Sequence, residues 1–122
     1  MSTTTRVIYT AGEGGVLKSA QILVGAAFAH DGTNYWTITL RCRRAARPPF
    51  PAQTSNATAE TVGSISTKTR DLAAGKLETL YSVAAGLAMT VGDSLTLDTA
   101  PTGSPAALTA LQYVLKGQRI TR

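Results

Sequence analysis

Apolar and polar residues alternate along this chain in short stretches with a period of two, the spacing of strands with one buried face. Arg6 to Thr10 reads as the first strand, closed by the turn "AGEGG". In "VLKSAQILVG", Ala20, Ile22 and Val24 alternate with Ser19, Gln21 and Leu23. "GAAFAHDG" fits a helical turn or an extended connection and ends in the turn pair Asp31-Gly32. "NYWTITLRC" is the strongest strand signal, dense in aromatic and β-branched residues.

From Ala45 to about Thr58 the pattern breaks, with Pro48, Pro49 and Pro51 marking a loop or protruding arm. "AETVGSIST" is a weak strand and "DLAAG" a tight turn. "KLETLYSV" sets Leu77, Thr79, Tyr81 and Val83 against Glu78, Leu80 and Ser82. "LAMTVGDSLTLDT" carries Leu87, Met89 and Val91, then the Gly92-Asp93 turn, then Leu95 and Leu97. In "ALTALQYVLKGQRI", Leu111, Tyr113 and Leu115 share a strand face, although Leu108, Leu111 and Leu115 also fit a 3.6 period. Tyr113, Val114 and Gly117 favour the strand. About eight short strands at fairly even spacing predict an all-β domain, a β-sandwich of jelly-roll type. The expected organisation is an arm at 1–5 and one domain over 6–122, with the proline-rich loop at about 45–58.

Composition supports this reading. Of 122 residues, 43% are hydrophobic and 16% charged, as in a globular chain, and Thr, Ser and Gly fill most polar positions. The net charge of +5 favours an acidic partner: nucleic acid, anionic membrane or an acidic protein surface. A single Cys rules out an internal disulfide. No apolar run approaches the roughly 20 residues of a membrane-spanning helix. "MSTTTRV" has no apolar signal core, so synthesis in a reducing cytosol and no membrane partner are expected. The triplet Asn56-Ala57-Thr58 matches a glycosylation acceptor but has no function without export.

The richest chemistry lies in "HDGTNYWTITLRCRRAARPPFP", residues 30 to 51. On a strand, Trp36, Ile38, Leu40 and Cys42 share the apolar side; Tyr35, Thr37, Thr39, Arg41 and Arg43 share the other. Cys42 is then a small core hydrophobe, not a reactive thiol. The only His, His30, falls in a turn, and no G-x-S-x-G nucleophile motif accompanies it. One His and one Cys do not make a zinc site. Of the seven carboxylates, Asp31, Asp71 and Asp93 sit in turn-like settings that suit backbone capping, not paired-acid hydrolysis. "GEGG" and "AGKL" lack the rest of a phosphate loop. The expectation is therefore no enzyme, no cofactor and no metal.

Arg41, Arg43, Arg44 and Arg47 remain, four of the twelve basic residues within seven positions, at the solvent-side end of a strand. Guanidinium groups grip carboxylate or phosphate in a bidentate fashion. An acidic protein surface or a nucleic acid would suit them, the latter needing stacking from Tyr35 or Phe50.

In order, "GGVLKSAQI", "DGTNYWTITL", "LAAGKLETLYS", "GLAMTVGDSLTL" and "GSPAALTALQYVL" resemble a layout of small tailed-bacteriophage virion proteins, over about residues 12 to 116. In that layout "VGDSL" is a hairpin, and "RRAARPPFPAQTSN" falls outside it. The resemblance implies a capsid decoration (cement) protein or a head-fibre module, built as a jelly roll and assembled as a homotrimer. It implies a structural role on the virion surface after synthesis in the host cytoplasm, with an acidic major capsid protein as partner. Arg41, Arg43, Arg44, Arg47 and, from the N-terminal arm, Arg6 are then the candidate attachment residues. Two alternatives stand beside it: a receptor- or glycan-binding jelly roll using Tyr35 and Tyr81, and a small basic nucleic-acid-binding barrel.

Overall fold

A computed structural model describes residues 3–11, 14–43, 60–89 and 92–119. Seven strands follow in chain order: β1 (Thr4–Thr10), β2 (Gly15–Leu23), β3 (Tyr35–Arg43), β4 (Glu60–Ser66), β5 (Glu78–Met89), β6 (Ser94–Thr102) and β7 (Gln112–Arg119). No helix occurs among the described residues. The strands form two antiparallel sheets, β1-β6-β3-β4 and β5-β2-β7, so the all-β sandwich read from the alternation is the fold. Seven strands lie among the described residues, where about eight were expected for the whole chain. The first strand begins at Thr4, so Thr4 and Thr5 belong to the sheet and not to an arm.

The core lies between the sheets. From the four-stranded sheet, Ile38, Leu40 and Cys42 of β3, Leu95 and Leu97 of β6 and Ile65 of β4 point inward. Ala20, Ile22 and Val24 answer from β2 and its extension, as their alternation predicted. Cys42 is completely buried. Trp36 is also buried, and its indole Nε1–H donates to the Ala106 carbonyl at 2.7 Å, tying β3 to the loop before β7. The last segment is strand β7, whose Tyr113 and Leu115, with Leu111 just before it, pack on the core.

Two expectations change on one strand for one reason. Clean alternation along "KLETLYSV" would put Leu80 on the polar side, yet Leu80 is buried while Leu77 and Val83 are exposed. β5 is bulged against β2: Ala20 faces Tyr81 and Gln21 faces Thr79, leaving Leu80 as an extra residue. A bulge turns two neighbouring side chains to the same face, so Leu80 and Tyr81 both meet the core. A larger irregularity follows, because Leu17 faces Leu87 while Ser19 faces Ser82. Residues 83 to 86 loop outward there, with Gly86 at φ 76°. The Lys18 ammonium holds this excursion, donating to the Ala84 carbonyl at 2.7 Å.

"VGDSL" is likewise not a hairpin. β5 belongs to one sheet and β6 to the other, so this connection crosses the sandwich. Its Gly92 and Asp93 bond the backbone of Ala11, where Gly92 N–H reaches Ala11 O at 2.9 Å and Ala11 N–H reaches Asp93 O at 2.8 Å. The ambiguous "GAAFAHDG" is an extended connection, bridged at Phe28 to Leu72.

The two open sides of the sandwich are closed differently. On one, Gly63 of β4 sits so close to β5 that an added Cβ would lie 1.9 Å from the Leu80 carbonyl oxygen. On the other, the Arg6 guanidinium of β1 lies 5.4 Å from the ring centre of Tyr113 on β7. The Tyr113 hydroxyl there donates to the Ile8 carbonyl at 3.3 Å.

Candidate functional site

The outward face of the four-stranded sheet is built from small hydroxyl residues. On β3 it presents Tyr35, Thr37, Thr39, Arg41 and Arg43; register places Ser66, Ser64 and Thr61 of β4 opposite Thr37, Thr39 and Arg41. On the other flank, Ala100, Asp98, Thr96 and Ser94 of β6 face Thr37, Thr39, Arg41 and Arg43. Thr5 and Val7 of β1 continue the rows beyond Asp98 and Thr96. The hydroxyls of Thr39 and Ser64 lie 3.2 Å apart, a cross-strand pair that stiffens the face.

At its centre sits an ion pair that the linear reading missed. Arg41 Nε donates to Asp98 Oδ2 at 2.8 Å, and its terminal nitrogen donates to Thr61 Oγ1 at 2.9 Å. The Arg41 side chain is 33% exposed and that of Asp98 17%, so water still screens the pair. Such a pair is worth about 1 kcal/mol. The second carboxylate oxygen, Asp98 Oδ1, is buried with no hydrogen-bond partner among the described residues. Arg41 is therefore committed to its own sheet. The alternation in "SLTLDT" puts Asp98 outward with Ser94 and Thr96; its pairing with Arg41 depends on which strands are neighbours, which alternation does not encode.

Arg43, the next outward residue, is exposed at the end of β3. Arg44 and Arg47 lie outside the described residues, as does the proline-rich loop at about 45–58. Arg6 stands on the far strand of the sheet over Tyr113 and does not join the β3 arginines.

Of the aromatic side chains that other functions would use, Phe50 lies outside the described residues and the other two have contacts within the fold. Lys68 Nζ lies 5.7 Å from the ring centre of Tyr35, and Tyr81 packs against the core. Tyr35 shares a strand face with Arg41 but stands six residues away, about 20 Å along the strand.

The loops at one end of the sandwich hold the remaining polar chemistry. Asp31 accepts from the backbone N–H of Thr33 at 2.8 Å and of Asn34 at 3.0 Å, the turn-capping role expected of it. The Asn34 bond foremost, with that of Thr33, holds the Asp31 carboxyl below its ordinary pKa. Asp71 accepts from the backbone N–H of His30 at 2.8 Å and contacts His30 Nδ1 at 2.6 Å. The backbone bond, followed by the ring contact, lowers the Asp71 pKa as well. The His–Asp pair is open to solvent. Separated by 41 positions in sequence, it gave no signal to a motif search. Nearby, Phe28, Asp31, Asn34 and Ser104 help line an open recess of about 340 Å³. Among the described residues no three His, Cys, Asp or Glu side chains converge as a metal site would require.

Compared with known proteins, the chain matches no family model, no curated protein and no solved structure.

Proposed function

We propose that the chain is a structural virion protein of a tailed bacteriophage, a jelly-roll-like capsid decoration (cement) protein located on the head surface. The observation that carries this reading is the outward face of the β1-β6-β3-β4 sheet. Its rows of Thr and Ser are paired across the strands, with Thr39 and Thr96 buried within them, its central charges neutralise each other, and Arg43 stands exposed at its margin. A sheet face of this kind suits attachment to another protein. Short hydroxyl side chains lose little freedom on burial, and a paired Arg41 and Asp98 present no net charge to repel a partner. Arg43, with Arg44 and Arg47, would then supply the cationic margin for an acidic major capsid protein, setting orientation and encounter rate more than affinity.

The test mixes the purified protein with tailed-phage heads stripped of surface proteins and images them in negative stain, with duplex DNA and a glycan array as parallel arms. Regular surface density on heads is the expected result. Added salt should weaken it through screening, as should joint replacement of Arg43, Arg44 and Arg47 by Ala. Single replacements at the margin should be nearly silent, at about 0–1 kcal/mol each. Bare heads with saturable binding to DNA or to one glycan would overturn the proposal.

A further inference from the structure

We propose that the recess between the β2–β3 and β6–β7 connections binds a neutral saccharide through two neighbouring hydroxyl groups of one sugar ring. This does not depend on the capsid reading, because none of the residues involved lies in the outward rows of the four-stranded sheet.

The recess has about 340 Å³ of room and is open to solvent. That is the small end of the range of about 300–1,000 Å³ for ligand sites, so the occupant is sugar-sized or the end of a longer chain. Pro105, which is buried, and the half-buried Phe28 help line it, together with Asp31, Asn34, Ser104 and Ala106.

Its walls are tied to each other. Ser104 N–H donates to Asn34 Oδ1 at 2.8 Å, the Trp36 indole donates to the Ala106 carbonyl at 2.7 Å, and Gly25 N–H donates to the Thr109 carbonyl at 2.7 Å. Each of these bonds joins the 25–36 stretch to the 104–109 stretch. Phe28 is anchored in turn by its two backbone bonds with Leu72, both 2.8 Å. A site held in this way needs little ordering when it binds, and ordering is a main cost for a small ligand.

The polar groups stand donor beside acceptor. Asp31 Oδ1 is engaged by the backbone N–H groups of Thr33 and Asn34, whereas Oδ2 carries no hydrogen bond of ordinary length among the described residues. Because Ser104 N–H occupies Asn34 Oδ1, the remaining end of that amide is Nδ2, a donor. Gly103 backs the amide so closely that a Cβ there would lie 2.5 Å from Oδ1. The Asp31 carboxyl is held below its ordinary pKa first by the Asn34 backbone N–H, then by that of Thr33, and in smaller part by the Asn34 side-chain amide, which places amide and carboxylate side by side.

A hydroxyl both donates and accepts, so two on adjacent ring carbons can donate to the carboxylate and accept from the amide. The apolar groups of Phe28 and Pro105 suit the C–H face of the same ring. Other ligand classes fit poorly. An anion would be repelled by the ionised Asp31. A metal ion would meet the amide hydrogens of Asn34, and no group of three His, Cys, Asp or Glu exists among the described residues to hold it. An apolar ligand would strip water from the carboxylate and return no hydrogen bond.

Trp36 is the only tryptophan, and its indole bonds the carbonyl of a lining residue, so the chain carries one reporter at the wall of the recess. The methyl glycosides of D-mannose, D-galactose and D-glucose are titrated separately into isotope-labelled protein and followed by amide and indole NMR. At least one should shift the Trp36 indole signal with the Asn34 and Ser104 amides, at a Kd of about 1 mM, the scale for so small a ligand. An oligosaccharide ending in the same sugar distinguishes the sources: tighter binding assigns the end of a glycan chain, equal binding a free sugar. Asp31→Asn keeps the oxygen that caps the turn and exchanges the other acceptor for a donor, so it should weaken binding about tenfold or more. Ala29→Phe, at an exposed lining position, should abolish binding by filling the recess while the signals of the core strands stay in place. The proposal is overturned if none of the glycosides shifts these signals at about tenfold that Kd. Shifts centred elsewhere on the molecule, or wild-type affinity in both variants, would overturn it as well.

Discussion

Replacing Gly63 by Ala sets two effects against each other, and the sign of the result tests how β4 meets β5. On conformational grounds alone Ala should help, since Gly within a strand costs about 0.5–1 kcal/mol relative to Ala. The packing says the opposite. The new Cβ would lie 1.9 Å from the Leu80 carbonyl oxygen and 2.8 Å from its carbon, both backbone atoms that no rotamer change can move. Restoring an ordinary contact requires the strands to part by roughly 1.5 Å at this point. Overpacking of this kind costs about 1–3 kcal/mol. The parting would also loosen Ile65 and Leu80, which are buried beside the contact. The expected net loss of about 1–2 kcal/mol is a large share of a typical domain stability of about 5–15 kcal/mol. Urea unfolding followed by tryptophan fluorescence measures it, with Gly32→Ala as the control because nothing lies within 4 Å of a Cβ there. The control should stay within about 0.5 kcal/mol of wild type. If Gly63→Ala unfolds at the same or higher urea concentration than Gly32→Ala, β4 and β5 do not touch as described.

Other outcomes follow from the same structure. Cys42 should resist a thiol reagent in the native state and react fully in denaturant; fast native labelling would mean that the β3 face is reversed. Arg41→Ala should lower stability by about 1 kcal/mol through the loss of Asp98 and Thr61; an unchanged urea midpoint would count against the ion pair. The Asp31 and Asp71 carboxyls have depressed pKa values in the fold. Their contribution is therefore complete above the unfolded value of about 4 and lost as pH falls through the lower folded values. The urea midpoint should drop on acidification below about pH 4, and the combined Asp31→Asn and Asp71→Asn variant should show a shallower drop.

The sequence is most legible where alternation runs unbroken. In β3 the register was plain from "NYWTITLRC", and Trp36, Ile38, Leu40 and Cys42 are all buried. Legibility fails at bulges, because an inserted residue shifts the phase without leaving a compositional mark. Leu80 in "KLETLYSV" is the example, read as outward and found in the core. It fails again where function depends on strand order. Arg41 and Asp98 are 57 positions apart, and only the β3–β6 pairing makes the arginine a structural group. Pro101 illustrates the same dependence. Among the described residues its partner is Trp36 of β3, the pairing with β1 starting only at Thr99 opposite Thr4.

The order of the strands also bears on how the chain acquires its shape during synthesis. Only β3 and β4 are both consecutive in sequence and paired; β1 must find β6, with Thr4 opposite Thr99, and β2 must find β7, with Gly15 opposite Arg119. A nascent chain emerging from the ribosome can thus form one hairpin, while β2 stays unpaired until β5 has been made and β1 until β6 has been made. Closing such long loops before any contact rewards them makes for slow folding, on the millisecond-to-second scale of non-local β topologies. Through that interval the apolar faces around Ile22 and Leu40 lie open to other nascent chains. Yield in the cell should then depend on translation rate and chaperone supply more than on the stability of the finished sandwich.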